Sequence, residues 1–345
     1  MPLKPHTRLI VMGTPAFILP TLNRLIQEKN STEQEQFDLV AIYTRAPKPA
    51  GHGLNLQYSP VHQAALELKK TYPFPFEIVT PDTLKKEENI IKFQSFKPDL
   101  VVVGAYGLIL PQTVLDTPSM GCINLHASLL PYGRGAAPIQ RAILDGKKET
   151  GLTIMKMDAG CDTGLILKQK SIAITPTTTA DILTQQLAEL GPDLLMQTLH
   201  EEPTGLQQDN THATYANKIK KEEAQIVWNK PAEALSCQIR AFSSSPGAFT
   251  YFKDKKGKVL RLKIYNVLAH PQNTSQPAGT VLEADSRILV ACATGALELL
   301  DVQSEGKKLI INLALLKNII VESQVCFNSY LRIKTILSQR FKLYL

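Results

Sequence analysis

The stretch RLIVMGTPAF, Arg8 to Phe17, places four apolar residues, Leu9 to Met12, directly before the turn-forming Gly13-Thr14-Pro15. An apolar run of that length closed by glycine and proline reads as a buried strand. The runs Asp38 to Thr44, Phe76 to Thr80 and Leu100 to Val103 read the same way, each separated from the next by a helix-like stretch. That alternation predicts βαβ units and an α/β, Rossmann-like, mostly parallel sheet. A dinucleotide site is not expected in it, because the turn after the first strand lacks the GxGxxG pattern that lets a backbone approach a pyrophosphate.

Farther along, Ile123 to Ala127 reads as another buried strand, Ala136 to Asp145 as a helix, and Gly151 to Met157 and Leu165 to Ile174 as two more strands. Thr179 to Leu199 carries Ile182, Leu183, Leu187, Leu190, Leu194 and Leu195 at helical spacing and closes the domain. The polar, turn-rich EEPTGLQQDNTHA, Glu201 to Ala213, then reads as a linker. The expected division is a Rossmann-like domain over 1–200, a linker over 201–213 and a second domain over 214–345. In the latter, Phe249 to Lys253, Val259 to Val267, Gly279 to Glu283, Ile288 to Ala291 and Leu297 to Val302 suggest a small β-barrel.

A chain of 345 residues suits two domains better than one, and 44% hydrophobic with 20% charged residues is an ordinary globular composition. The N-terminus runs from MPLKPHTR into a strand without a charged-then-apolar leader. The run LIINLALLKNII near the C-terminus is about 12 residues long, short of the ~20 needed to cross a bilayer. A cytoplasmic location with no membrane partner is expected. The five cysteines, Cys122, Cys161, Cys237, Cys292 and Cys326, show no CxxC or metal-ligand spacing and read as reduced thiols, so no metal is expected. The net charge of +7 is segregated: residues 1–215 hold 19 Lys+Arg against 21 Asp+Glu, a balance of −2, while residues 216–345 hold 19 against 10, a balance of +9. Segregation into one domain points to a polyanionic partner, and RNA fits better than a small anion.

The chemistry concentrates in INLHASLLPYGRGAAPIQ, Ile123 to Gln140, and DAGCDTG, Asp158 to Gly164. Alternate residues of a strand share a face, so Asn124 and His126 point the same way, an amide donor beside a titratable imidazole. Asp162, between Gly160 and Gly164, sits on a loop able to return to the histidine. Taken singly, a buried-strand histidine is a satisfied core residue and an Asp between glycines is a turn former. Taken together, the three suit acyl transfer without a side-chain nucleophile: Asn124 stabilises an oxyanion, His126 shares that contact or relays a proton, and Asp162 orients the ring or acts through a water. Cys161 is not expected to be the nucleophile, since a neighbouring carboxylate disfavours its thiolate.

These blocks resemble the formyltransferases that use 10-formyltetrahydrofolate. The resemblance extends through MGTPAF, RAPKPAGHG (Arg45 to Gly53), VVVGAYGLILP (Val101 to Pro111), ETGLTIMKMDAGCDTG (Glu149 to Gly164), TYANKIKKEEAQIVW (Thr214 to Trp228) and QIRAFSSSPGAF (Gln238 to Phe249), from about Arg8 to about Lys308. It implies that residues 1–200 form the catalytic domain and that the C-terminal barrel is oligonucleotide-binding-like and grips tRNA. The implied catalytic set is Asn124, His126 and Asp162. Tyr106, Gly107, Leu108 and Ile109, with Ser128, Leu129, Leu130 and Pro131, would flank the folate. Arg45, Lys48 and His52, with Lys218 and Lys220, would meet tRNA.

The resemblance further implies 10-formyltetrahydrofolate as donor, tetrahydrofolate as product, and methionine carried on initiator tRNA as acceptor for translation initiation; a monomer is expected. A formyltransferase acting on a nucleotide-linked amino sugar, or on a purine precursor, shares the donor half and the catalytic set. The basic C-terminal domain argues against the purine enzyme. A catalytically silent RNA-binding protein is disfavoured by the retained Asn124, His126 and Asp162. The sequence departs from the family at Tyr132-Gly133, at His52, Leu54 and Asn55, and after Lys308.

Overall fold

The computed structural model describes residues 6–31, 37–50, 55–72, 74–201, 204–253, 258–272, 274–284 and 287–305. The tail expected to diverge from about residue 309, the LIINLALLKNII run, Cys326, His52 and Leu54 lie outside the described residues. Those described fall into two compact units. One gathers the chain up to Pro138 with Glu149–Ala173 and Leu183–Asn217; the other gathers Ile139–Lys148, Ile174–Ile182 and the chain from Lys218 onward.

The first unit follows the βα alternation read from the apolar runs. Its elements in chain order are β1 (Thr7–Gly13), α1 (Leu19–Ser31), β2 (Phe37–Tyr43), a short hairpin of β3 (Lys48–Ala50) and β4 (Asn55–Gln57), α2 (Pro60–Thr71), β5 (Glu77–Val79), α3 (Glu87–Ser95), β6 (Leu100–Gly104), α4 (Gln112–Leu115) and β7 (Gly121–His126). After α5 (Pro138–Leu144), which from Ile139 onward belongs to the other unit, come β8 (Glu149–Lys156), β9 (Ile166–Ala173) and α6 (Ala180–His200), the last joining this unit from Leu183. The sheet order is β5-β2-β1-β6-β7-β8-β9. The first five strands pair in parallel, whereas β8 and β9 join antiparallel at one edge.

The strand order reverses at β1, with β2 on one side and β6 on the other. In open α/β sheets, ligands bind beyond the carboxyl ends of the strands near such a switch point. The sequence keeps this point tight. A Cβ on Gly13 would lie 2.5 Å from Ile18 Cγ2, and one on Gly104 would collide with Ile18 Cδ1, so two glycines admit one fully buried isoleucine between β1 and β6. Beneath the sheet, Ile10, Met12, Tyr43, Val101 and Val103 pack against Phe93 and Phe96 from α3 and its end. The helix α6 approaches β7 closely: a Cβ on Gly191 would come within 3.1 Å of Leu125 Cδ2 and 2.5 Å of Thr21 Oγ1.

The second unit is built on α7 (Ala232–Ala241) and a curled antiparallel sheet of β10 (Phe249–Lys253), β11 (Val259–His270), β12 (Val281–Ala284), β13 (Arg287–Ala291) and β14 (Ala296–Ser304), in the order β10-β11-β14-β13-β12. Register shifts against β14 between Ile264 and Val267 let the long β11 bend. Strand positions match the short alternating runs. The sequence pattern does not predict the helix α7, which buries Leu235 and Ile239 on one face and Cys237 on nearly the opposite one. Trp228, 1% exposed, donates its indole N–H to Thr250 Oγ1 at 3.1 Å. No described helix is long and apolar enough to cross a membrane.

Candidate active site

The carboxyl ends of β6 and β7, and the loop between β8 and β9, carry the residues singled out in the sequence. Asn124 and His126 lie two apart on β7, so both side chains leave the same face of the sheet. Asn124 is half-buried. His126 is 6% exposed. Its Nε2 lies 2.9 Å from the Gly133 carbonyl oxygen, and its Nδ1 lies 3.6 Å from Asp162 Oδ1, an ion-pair rather than a hydrogen-bond distance.

Asp162 returns to the histidine as its loop position suggests, but glycine flexibility alone does not hold it there. The residue itself takes φ of +55°, a conformation costly for a non-glycine. The Gly135 N–H donates to its Oδ2 at 2.8 Å, and the Gln208 side-chain amide donates to its carbonyl oxygen at 2.8 Å. Upstream, Asp158 Oδ1 accepts from the Gly160 N–H at 3.1 Å and from Thr163 Oγ1 at 2.7 Å, which closes the loop on itself. The exposed Cys161 has its thiol pushed above the ordinary value, first by partial burial and then by the Asp162 carboxylate, so it is a poor thiolate. Cys122, in the core of β7, is pushed up to about 12 by burial and then by Asp116.

The segment Ser128 to Pro131 is fastened from below. Thr153 Oγ1 donates to the Ser128 carbonyl at 2.6 Å and accepts from the Leu130 N–H at 3.2 Å, while Gln169 Nε2 donates to the Leu130 carbonyl at 2.9 Å. Ser128 Oγ donates to the Tyr132 carbonyl at 2.6 Å. The Leu130 side chain is buried with Met155 and Ile166, and Leu129 lies against Gly151. Both leucines therefore brace the segment, and the half-buried Pro131 is more open than Leu130.

Opposite in the sequence pattern, Tyr106 to Ile109 form the turn after β6. Thr14 Oγ1 donates to the Tyr106 carbonyl at 2.6 Å, and Arg45 Nη1 donates to the Gly107 carbonyl at 3.1 Å. Tyr106 is buried, its hydroxyl has no partner among the described residues, and burial holds its pKa well above the ordinary tyrosine value. Leu108 is half-buried, and Ile109 is 72% exposed. The exposed isoleucine thus leaves an apolar side chain open on a pinned turn at the carboxyl edge of the sheet.

Of the residues assigned to tRNA, Arg45 is half-buried and tied to the Tyr106–Ile109 turn, and Lys48 is exposed on β3. Lys218 and Lys220 are exposed at the start of the second unit. Two residues of the site were not read from the sequence. Arg134, 2% exposed, lies between Gly133, which meets His126, and Gly135, which holds Asp162; Gln208, 4% exposed, bonds to it. No group of three or more His, Cys, Asp or Glu with metal-holding geometry occurs among the described residues.

Residues 7–199 match the formyl transferase family model, and residues 218–317 match the formyl transferase C-terminal domain. The chain is 43% identical over 309 residues to a methionyl-tRNA formyltransferase of Bradyrhizobium diazoefficiens, covering 87% of this chain and 92% of that one. It is 44% identical over 306 residues to a methionyl-tRNA formyltransferase of Brucella anthropi, covering 87% and 94%. Among solved structures, WlaRD, a sugar 3N-formyl transferase determined in the presence of dTDP and 5-N-formyl-THF, shares the fold with a TM-score of 0.59 at 18% identity, covering 88% of this chain and 99% of that one.

Proposed function

The chain belongs to the formyl transferase family, and from that premise we propose that it formylates the α-amino group of methionine carried on initiator tRNA, with 10-formyltetrahydrofolate as donor. The observation that carries this reading is the pairing of His126 Nδ1 with Asp162 Oδ1 at 3.6 Å, beside the half-buried Asn124 on the same strand face. At 43% identity over 87% of the chain, the acceptor is that of the methionyl-tRNA enzymes rather than an amino sugar.

Bound folate supplies a formyl group already activated on nitrogen, so the protein needs neither a nucleophile nor a metal. Asn124 donates to the formyl oxygen as negative charge grows on it, an interaction worth ~3–4 kcal/mol for one preorganised donor. The Gly133 carbonyl can only accept, so His126 carries a proton on Nε2, and Nδ1, facing Asp162, is the nitrogen that takes up and releases the migrating proton. Asp162 orients the ring. The pinned turn Tyr106–Ile109, with Ile109 outward, and the segment Ser128–Pro131, braced by Leu129 and Leu130, fit an apolar ring slot and are assigned to the folate.

We assign residues 1–200 to catalysis and residues 214–345, with the +9 balance, to holding the RNA backbone, with Lys218 and Lys220 among the contacts. Arg45, Lys48 and His52 are assigned to the acceptor end. The protein acts as a cytoplasmic monomer and releases tetrahydrofolate. The test is incubation with 10-formyltetrahydrofolate and, separately, charged initiator tRNA, charged elongator methionine tRNA and nucleotide-linked amino sugars. Formylation confined to the initiator is expected, and transfer to the sugars in preference to the tRNA would overturn the acceptor assignment.

A further inference from the structure

Gln208 lies in the segment whose composition reads as a linker, yet all four hydrogen-bonding positions of its side-chain amide are used. Its Oε1 accepts from Arg134 Nε at 3.0 Å and Nη2 at 2.8 Å, and its Nε2 donates to the carbonyls of Asp162 at 2.8 Å and Gly164 at 2.7 Å. A guanidinium only donates, so Arg134 forces the amide oxygen toward itself and both amide protons toward the Asp162–Gly164 loop. Arg134 is completed by Asn210 Oδ1, which accepts from Nη2 at 2.8 Å, and the segment is docked by reciprocal backbone bonds between Leu206 and Ile166 at 2.7 and 2.9 Å.

We infer that Gln208 and Arg134 are a positioning pair that holds Asp162 in register with His126, making the 204–213 segment part of the catalytic apparatus. The inference rests on the role of Asp162 given above. The same arginine lies between Gly133, whose carbonyl faces His126 Nε2, and Gly135, whose N–H fixes Asp162 Oδ2. One buried residue thus links the supports of both partners. The positive φ of Asp162 needs external support, which the two donors of Gln208 supply on either side of Thr163.

The test compares Gln208→Ala, Gln208→Glu, Asp162→Asn and the Gln208→Glu/Asp162→Asn double variant in the full chain by steady-state and single-turnover kinetics, with thermal midpoints recorded. Gln208→Glu keeps Arg134 paired but cannot donate to the two loop carbonyls. It should lower kcat at least about 10-fold, with KM for each substrate changed less than about 3-fold, and its loss should vanish in the Asp162→Asn background. Should Gln208→Ala fail to fold, the Gln208→Glu cycle decides alone. Parent-like kcat in Gln208→Glu, or losses that multiply in the double variant, would overturn the inference. Full activity in Asp162→Asn would instead sink the catalytic role of Asp162, a distinct failure.

Discussion

The Nε2 of His126 faces the Gly133 carbonyl at 2.9 Å, which leaves Nδ1 as the nitrogen directed at Asp162. Because that carbonyl can only accept, the geometry places a proton on Nε2, and in the proposed function Asn124 and His126 take separate tasks, one for charge and one for the proton. Either His126→Ala or Asn124→Ala should slow formyl transfer by about 10²-fold or more while leaving tRNA affinity nearly unchanged, because each acts on the developing transition state. Single-turnover rates near the parent value in either variant would remove the assignment.

The thiol beside Asp162 is held protonated by partial burial and then by that carboxylate. At neutral pH, below its raised pKa, alkylation of Cys161 should be slower than that of a free cysteine despite its exposure, and Asp162→Asn should quicken it. Cys161→Ser should retain at least about half the parent kcat. A loss of 10²-fold or more would return the thiol to candidacy as a nucleophile.

Gly135 has φ of +115°, and a Cβ there would lie 2.9 Å from the Ala216 carbonyl oxygen. Gly135→Ala should therefore cost about 1–3 kcal/mol in chemical denaturation, the scale of a residue held in a disallowed region. Because the same residue's N–H holds Asp162 Oδ2, kcat should fall as well. Unaltered stability together with unaltered kcat would show that the loop accommodates the methyl without moving the carboxylate.

Strand alternation alone puts Asn124 and His126 on one face, and apolar runs set out both sheets, because burial and periodicity are local in sequence. Gln208 and Arg134 were not legible in the same way. A glutamine in a polar, turn-rich stretch and an arginine between glycines look solvent-exposed, and only docking of the segment against Ile166 and the resulting burial give them a task. Arg45 reads in the sequence only as an RNA contact, yet its guanidinium also holds the Gly107 carbonyl, a bond spanning 62 residues that no pattern announces. The helix α7 is hard to read from the sequence because it is ten residues long and is buried on more than one side, with the polar Ser236 and Gln238 among its buried positions.

In the second unit, Arg141 makes two bonds to Glu223, at 2.6 and 3.0 Å. The pairing holds the Glu223 carboxyl below its ordinary value of 4.5, chiefly through the hydrogen bond from Arg141. A carboxyl with a depressed folded-state pKa stabilises the fold fully above its free value and loses that contribution as pH falls through the folded value. With both side chains partly exposed, the contribution should stay below about 1 kcal/mol. The stability difference between the parent and Glu223→Gln should be present at pH 7 and shrink as pH falls below the free value of 4.5 and through the lower folded-state value; a gap that stays constant across an acid titration would assign the difference to packing instead.

The division of labour in RNA binding is tested by charge removal in the full chain, since residues 139–148 and 174–182 belong to the second unit and a simple truncation would cut through both. Every phosphate left without its neutralising cation should flatten the log–log salt dependence of binding by ~0.9 on duplex DNA, and by a similar amount on an RNA duplex. The exposed Lys218 and Lys220 lie at the start of the +9 region. Lys218→Ala/Lys220→Ala should weaken binding of charged initiator tRNA and reduce the slope by about 1–2. Arg45→Ala should leave most of the slope in place and mainly lower turnover, because Arg45 also holds the Gly107 carbonyl at the proposed folate edge. Binding measured across a salt series, alongside kcat and KM for tRNA and folate, separates the two outcomes. A parent-like slope in the lysine variant with a flattened one in Arg45→Ala would place the electrostatic grip at the acceptor end and leave the basic domain a solvated surface.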